Sequence, residues 1–64
     1  MTVSFDYKVL DGRYPVHERY TDIKMCNYYF GNGRTYLKLY KNNSDLQYDF
    51  CIDLSTVKSF LIDD

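Results

Sequence analysis

The chain has 64 residues, eight basic and nine acidic side chains, one histidine and a formal net charge of −1. So slight a charge creates no field that would gather nucleic acid or an anionic membrane, and no long acidic tract imitates DNA. The length argues for one small domain, residues 1–64, with no apolar run near the ~20 residues of a membrane span and no signal-peptide pattern.

These features lead to the expectation of an intracellular, cytoplasmic protein. The two cysteines, too few for a disulfide framework, are expected to be free thiols in a reducing compartment. Tyrosine is over-used: eight Tyr and four Phe stand beside no Trp. A tyrosine ring packs while its hydroxyl stays wet, which suits both a half-buried sheet and a recognition surface.

In chain order, Val3, Phe5, Tyr7 and Val9 alternate with Ser4, Asp6 and Lys8, the pattern of a half-buried strand. Asp11-Gly12 then gives a strong hairpin signal. Closing on it sets Val9 opposite Tyr14, Tyr7 opposite Val16 and Asp6 opposite His17. The returning strand, Tyr14 to Tyr20, contains Pro15, which cannot donate to a ladder and so points to an edge. A short helix starting at Pro15 is the competing reading. Thr21-Asp22 reads as a bend leading into the central stretch.

That stretch, Ile23 to Leu54, reads as a three-stranded antiparallel meander. Gly31-Asn32-Gly33, read as a three-residue loop, sets Tyr28 opposite Tyr36, Cys26 opposite Lys38 and Met25 opposite Leu39. A second turn at Asn43-Ser44 sets Leu39 opposite Tyr48, Leu37 opposite Phe50, Lys38 opposite Asp49 and Arg34 opposite Asp53. One face then carries Ile23, Met25, Leu37, Leu39, Tyr48, Phe50, Ile52 and Leu54 as the core. The other carries Lys24, Cys26, Tyr28, Phe30, Arg34, Tyr36, Lys38, Tyr40, Asp49, Cys51 and Asp53. After Leu54, Ser55 could cap a short helix, but the β-branched and aromatic content favours a final strand, Val57 to Ile62. Val57, Phe60 and Leu61 are expected to close one end of the core.

The fold expected is therefore all-β: four or five antiparallel strands in meander order, forming a half-open barrel or a sheet with a short C-terminal strand or helix.

Chemistry-bearing motifs are sparse. Two Cys and one His have no zinc-site spacing, and His17 is read as a surface histidine facing Asp6. Cys26 or Cys51 has no base within its own hairpin. Asp49 and Asp53 each face a basic partner, which argues against a raised carboxyl pKa. Gly31-Asn32-Gly33 lies between strands and does not open a helix, so it is no phosphate loop. Asn42-Asn43-Ser44 matches the glycosylation pattern, which matters only in a secreted protein. No enzyme activity, metal or cofactor is expected.

What remains is the aromatic face. Tyr28, Phe30, Arg34, Tyr36, Lys38 and Tyr40 are read as a partner-binding surface, with the tyrosines as anchors and Arg34 and Lys38 setting orientation. The leading expectation is a non-enzymatic interaction protein that occupies a surface of a larger protein partner, as small inhibitors and accessory proteins do. Such stand-alone domains are frequent in phages and mobile elements, and a homodimer through the tyrosine face or an edge strand also fits. The alternative is a single-stranded nucleic-acid binder that stacks bases on the same aromatics. Small oligonucleotide-binding barrels have this length, although the aromatic-glycine motifs of cold-shock strands are absent. A third reading makes the face a second core, packed against the first hairpin or the C-terminal segment.

Overall fold

A computed structural model of the protein describes residues 1–9, 16–42 and 47–64. Its strands are β1 (Thr2–Tyr7), β2 (His17–Tyr20), β3 (Met25–Gly31), β4 (Arg34–Tyr40), β5 (Phe50–Asp53) and β6 (Val57–Asp63). A single 3-10 turn, Leu54–Thr56, separates the last two. They form two three-stranded antiparallel sheets, ordered β2-β1-β6 and β3-β4-β5, without closing into a barrel. The all-β class is as expected. Strand number and order are corrected: β6 does not continue the meander but returns to the free edge of β1, which becomes a central strand.

The first hairpin has the register read from its sequence. Val3 lies opposite Tyr20, Phe5 opposite Glu18 and Asp6 opposite His17, and Tyr7 N–H extends the ladder to Val16 O at 2.9 Å. The helix starting at Pro15 is excluded over His17–Tyr20, which is an edge strand. The Asp11-Gly12 turn, the Val9–Tyr14 pair and Pro15 itself lie outside the described residues, as does the Asn43-Ser44 turn.

The central meander forms, but its register differs on both sides. In β3–β4, Met25 pairs with Tyr40, Cys26 with Leu39, Asn27 with Lys38, Tyr28 with Leu37 and Gly31 with Arg34. The loop therefore has two residues, Asn32 and Gly33, with φ of 54° and 72°. This is the primed turn whose twist matches that of the strands. Gly31 belongs to the strand, paired with Arg34, and the Tyr29 ring lies over it. A Cβ there would lie 2.9 Å from Tyr29 Cε1, so any larger residue would push the ring from its present place. In β4–β5, Leu37 pairs with Ile52, Leu39 with Phe50, Lys38 with Cys51 and Tyr36 with Asp53. That is two residues from the expected register, a shift that preserves faces. The one-residue change in β3 does not, so β3 presents to the core the residues expected outside.

The core is consequently built from both sheets. Val3, Phe5 and Val57 of the first meet Leu37 and Leu39 of the second, with Ile23 at the junction, and all six are buried. Cys26, Phe50, Ile52, Leu54, Tyr20 and Phe60 pack around them. The Tyr20 and Phe50 rings, 4.6 Å apart, join one sheet to the other. Met25 and Tyr48 are not part of this cluster, correcting their core assignment. Ile23 and Cys26 both belong to it although they are three positions apart, so the strict alternation is broken just before β3.

Local chemistry explains the corners. Asp22 takes a left-handed φ of 59°, a conformation tolerated best by Gly, Asn and Asp. It turns the chain out of the first sheet, and Ile23 N–H donates to Met1 O at 2.9 Å. The next residue then crosses to the second sheet, Lys24 N–H donating to Tyr40 O at 2.8 Å. At the other corner, Asp53 Oδ1 accepts from Ser55 N–H at 2.9 Å and Thr56 Oγ1 donates to Asp53 O at 2.7 Å. Ser55, expected as a cap, is instead the capped residue. A bulge in β6, opposite Asp6 and Tyr7, then lets both Val57 and Phe60 face the core. Leu61, expected to help close the core, is 65% exposed on the opposite face.

A pH dependence follows from the first sheet. Burial, with the Glu18 carboxylate alongside, raises the Tyr20 hydroxyl above its ordinary pKa of 10.0, and Tyr7 is raised by the same two causes. A raised acid favours the fold while it is neutral. That contribution is complete below pH 10 and is lost as pH climbs from 10 toward the folded-state value. Thermal melts should thus fall with pH above 10, and less steeply in Tyr20→Phe; equal slopes in the two proteins would contradict this assignment.

Candidate functional site

Strand alternation places Arg34, Tyr36, Lys38 and Tyr40 on one side of β4, away from Leu37 and Leu39. The register then decides what joins them. From β3 come Tyr29 and Asn27, opposite Tyr36 and Lys38; from β5 come Cys51 and Asp53. Tyr28 and Phe30, expected on this face, pair with Leu37 and Thr35 and lie on the core side of the sheet. They are nonetheless exposed, Phe30 by 74%, because this end of the β3–β4 hairpin runs past the cover that the first sheet provides. Tyr40 has the expected parity but is only 5% exposed, so it offers no contact area to a partner.

The face has a definite geometry. The Tyr29 and Tyr36 rings lie 6.0 Å apart at an interplanar angle of 41°. Lys38 Nζ stands 4.1 Å from the Tyr29 ring centroid and 4.8 Å from that of Tyr48. One ammonium is thus held between two tyrosine rings, whose negative faces attract it. Arg34 Nη1 donates to Asp53 Oδ2 at 3.0 Å. This ion pair was expected from directly opposite positions. It forms on a diagonal, because Arg34 is long enough to reach past the Tyr36–Asp53 pair. The Ser55 amide first and Arg34 second hold the Asp53 carboxyl below its ordinary pKa of 3.8. The expected Lys38–Asp49 pair does not form across the ladder; Asp49 Oδ2 instead accepts from the Lys41 backbone N–H at 2.7 Å.

Tyr29 is 48% and Tyr48 47% exposed. Neither β1 and β2 nor β6 covers them, since these strands belong to the sheet on the other side of the core. The face is not a second core. Sequence reasoning left out Tyr29 and gave Tyr48 to the interior. The signal that would have found Tyr29 is the dipeptide Asn32-Gly33: as a two-residue turn it sets Tyr29 opposite Tyr36, beside Lys38; no comparable signal marks Tyr48. Around the tip, Phe30, Gly31, Gly33, Arg34 and Thr35 line an open depression.

Among the described residues, no three His, Cys, Asp or Glu side chains come together as a metal site. His17 Nδ1 and Asp6 Oδ1 are 2.7 Å apart on the exposed face of the first sheet, as read from the hairpin register, and His17 chiefly holds the Asp6 carboxyl below its ordinary value. Cys26 and Cys51 are both free thiols. They were expected on one face but lie on opposite faces, Cys26 against the core and Cys51 exposed beside Lys38. No helix among the described residues is long and apolar enough to cross a membrane. Comparison with protein-family models, curated proteins and solved structures finds no match.

Proposed function

We propose that the protein is a non-enzymatic interaction module that binds a larger protein through the Tyr29–Tyr36–Lys38–Tyr48 face. The observation that carries this reading is the Lys38 ammonium held between the half-exposed rings of Tyr29 and Tyr48. Anchors already held in place lose little entropy on binding, and Tyr beside Arg is the composition of interface hot spots. Tyr29 and Tyr48 are the anchors, Tyr36 supports Tyr29 from the next strand, and Arg34 at the rim orients the partner.

Charge favours protein over nucleic acid as the ligand. Lys38 already faces two tyrosine rings and Arg34 already meets Asp53, so neither cation is free to neutralise a phosphate without giving up its present contact. Mechanistically the protein would act by occupancy, covering a surface that its partner uses for something else.

Fluorescence anisotropy of labelled single- and double-stranded oligonucleotides, titrated at low and then physiological salt, separates the two ligand classes. The expected result is no binding at physiological salt. Binding that survives it and drops in Tyr29→Ala would replace the protein-binding reading with base stacking. In the same protein, crosslinked capture from the native host should retain a partner that the doubly substituted Tyr29→Ala/Tyr48→Ala variant loses while its melting temperature is unchanged. Equal capture by both would reject this face as the contact surface.

A further inference from the structure

Among the described residues the two sheets leave four edges, and three of them are guarded against pairing. Over the described residues β2 carries His17, Glu18 and Arg19 in succession. β5 is four residues long and ends at Asp53. β6 has seven residues but carries Lys58 and Asp63, and a bulge breaks its register. Short length, charges and bulges are the devices by which sheet proteins blunt their edges. β3 has none of them. Its seven residues, Met-Cys-Asn-Tyr-Tyr-Phe-Gly, contain no charge and no proline. Asn27, Tyr28, Tyr29 and Phe30 are all exposed in succession, so both faces of the strand, and hence its rim, are open to solvent.

The ladder also tells which backbone groups are available. In a two-residue hairpin the closing pair, here Gly31 and Arg34, exchanges hydrogen bonds, and the pattern alternates from there. Gly31, Tyr29, Asn27 and Met25 are thereby turned toward β4. The N–H and C=O groups of Cys26, Tyr28 and Phe30 point away from it.

We propose that β3 pairs antiparallel with β3 of a second copy of this chain, about a two-fold axis at Tyr28. The strand is self-complementary in that register. Tyr28 meets its own counterpart, Cys26 meets the second copy's Phe30, and Phe30 the second copy's Cys26. Each of these pairs can exchange the backbone groups left unused by β4. The faces match too: Cys26, Tyr28 and Phe30 stay on one side, Asn27 and Tyr29 on the other, so no side chain crosses the sheet. With no charge on the strand, nothing repels an identical copy, and the overhanging Phe30 and Tyr28 gain the cover that the first sheet does not reach to give. The result is a continuous six-stranded sheet with closed two-fold symmetry. It leaves Tyr48 and Lys38 uncovered, and it stands or falls independently of any foreign partner.

Sedimentation across low-micromolar to millimolar concentration, paired with amide hydrogen exchange, tests this. The expected mass rises from 7.7 kDa to twice that value with concentration. The amides of Cys26, Tyr28 and Phe30 should slow by on the order of tenfold or more over the same range. Tyr28→Lys and Phe30→Lys, both at exposed positions, should remain at 7.7 kDa with an unchanged melt, while Leu61→Lys on the β6 edge should still dimerise. A wild-type protein that stays monomeric throughout would overturn the proposal. So would self-association that persists in both β3 variants, or that is lost in Leu61→Lys.

Discussion

Phe5→Ala is expected to cost the protein a large part of its stability, lowering its melting temperature by at least about 12 °C. Phe5 is wholly buried on β1, with its ring centroid 6.2 Å from Tyr7, 5.8 Å from Tyr20 and 5.9 Å from Phe60. Removing such a ring costs about 3–5 kcal/mol, since the transfer energy is lost and a cavity is left behind. A chain of this length has roughly 3–10 kcal/mol of stability in all. The variant therefore loses about three tenths of the total at the least and all of it at the most. Even the smaller loss lowers the melting temperature by at least about 12 °C. Circular dichroism melts of the wild type, Phe5→Leu and Phe5→Ala would show this as an ordered series. A Phe5→Ala protein melting within about 5 °C of the wild type would show that the two sheets do not share this core.

The second large effect is expected at Ile23. It lies outside every strand, yet it is wholly buried where the chain leaves the first sheet for the second. Its backbone exchanges hydrogen bonds with Met1, at 2.7 Å to its carbonyl and 2.9 Å from its amide. Ile23→Ala should cost about 2–5 kcal/mol, a fall of at least about 8 °C, whereas Leu61→Ala, removing an exposed side chain of similar size, should stay within about 0.5 kcal/mol of the wild type. Urea titrations of the two variants give the comparison directly. Equal midpoints would mean that Ile23 is not the hinge pin between the sheets. Ile23→Val should fall between them, because it removes one methylene and leaves the corner filled.

The residues that proved legible in the sequence share a property: their partners lie within a few positions of one another along the chain, or their pattern alternates without interruption. β1 alternates cleanly, so Val3 and Phe5 were identifiable as buried, and the return across a short turn fixed Asp6 opposite His17. β2 was legible as an edge through Pro15, and β6 through its β-branched and aromatic content. The candidate site was legible only in part. Arg34, Tyr36 and Lys38 share one strand, and alternation alone puts them together. Tyr28 and Phe30 were misplaced because their face depends on the loop, where counting Gly31 as turn instead of strand shifts β3 by one residue and exchanges every side chain on it.

The missed contacts have a common physical cause. Tyr29 reaches the site by lying over Gly31, and Tyr48 by meeting Lys38 across the sheet; both are packing choices among rings that are chemically alike. With eight tyrosines in the chain, composition says that some face will be aromatic but not which rings will form it.

By itself, then, the amino-acid sequence determined the all-β class, the register of the first hairpin, the His17–Asp6 contact and the aromatic and basic character of β4. Alternation and turn chemistry are local, and each acts over a few residues. Only the tertiary structure decided that β6 lies beside β1, that Ile23 and Cys26 both point inward across a broken alternation, and that Tyr29 and Tyr48 hold Lys38 between them. Those outcomes depend on which of two apolar sheet faces covers the other, a choice made by filling one shared core, and no short stretch of the chain contains it.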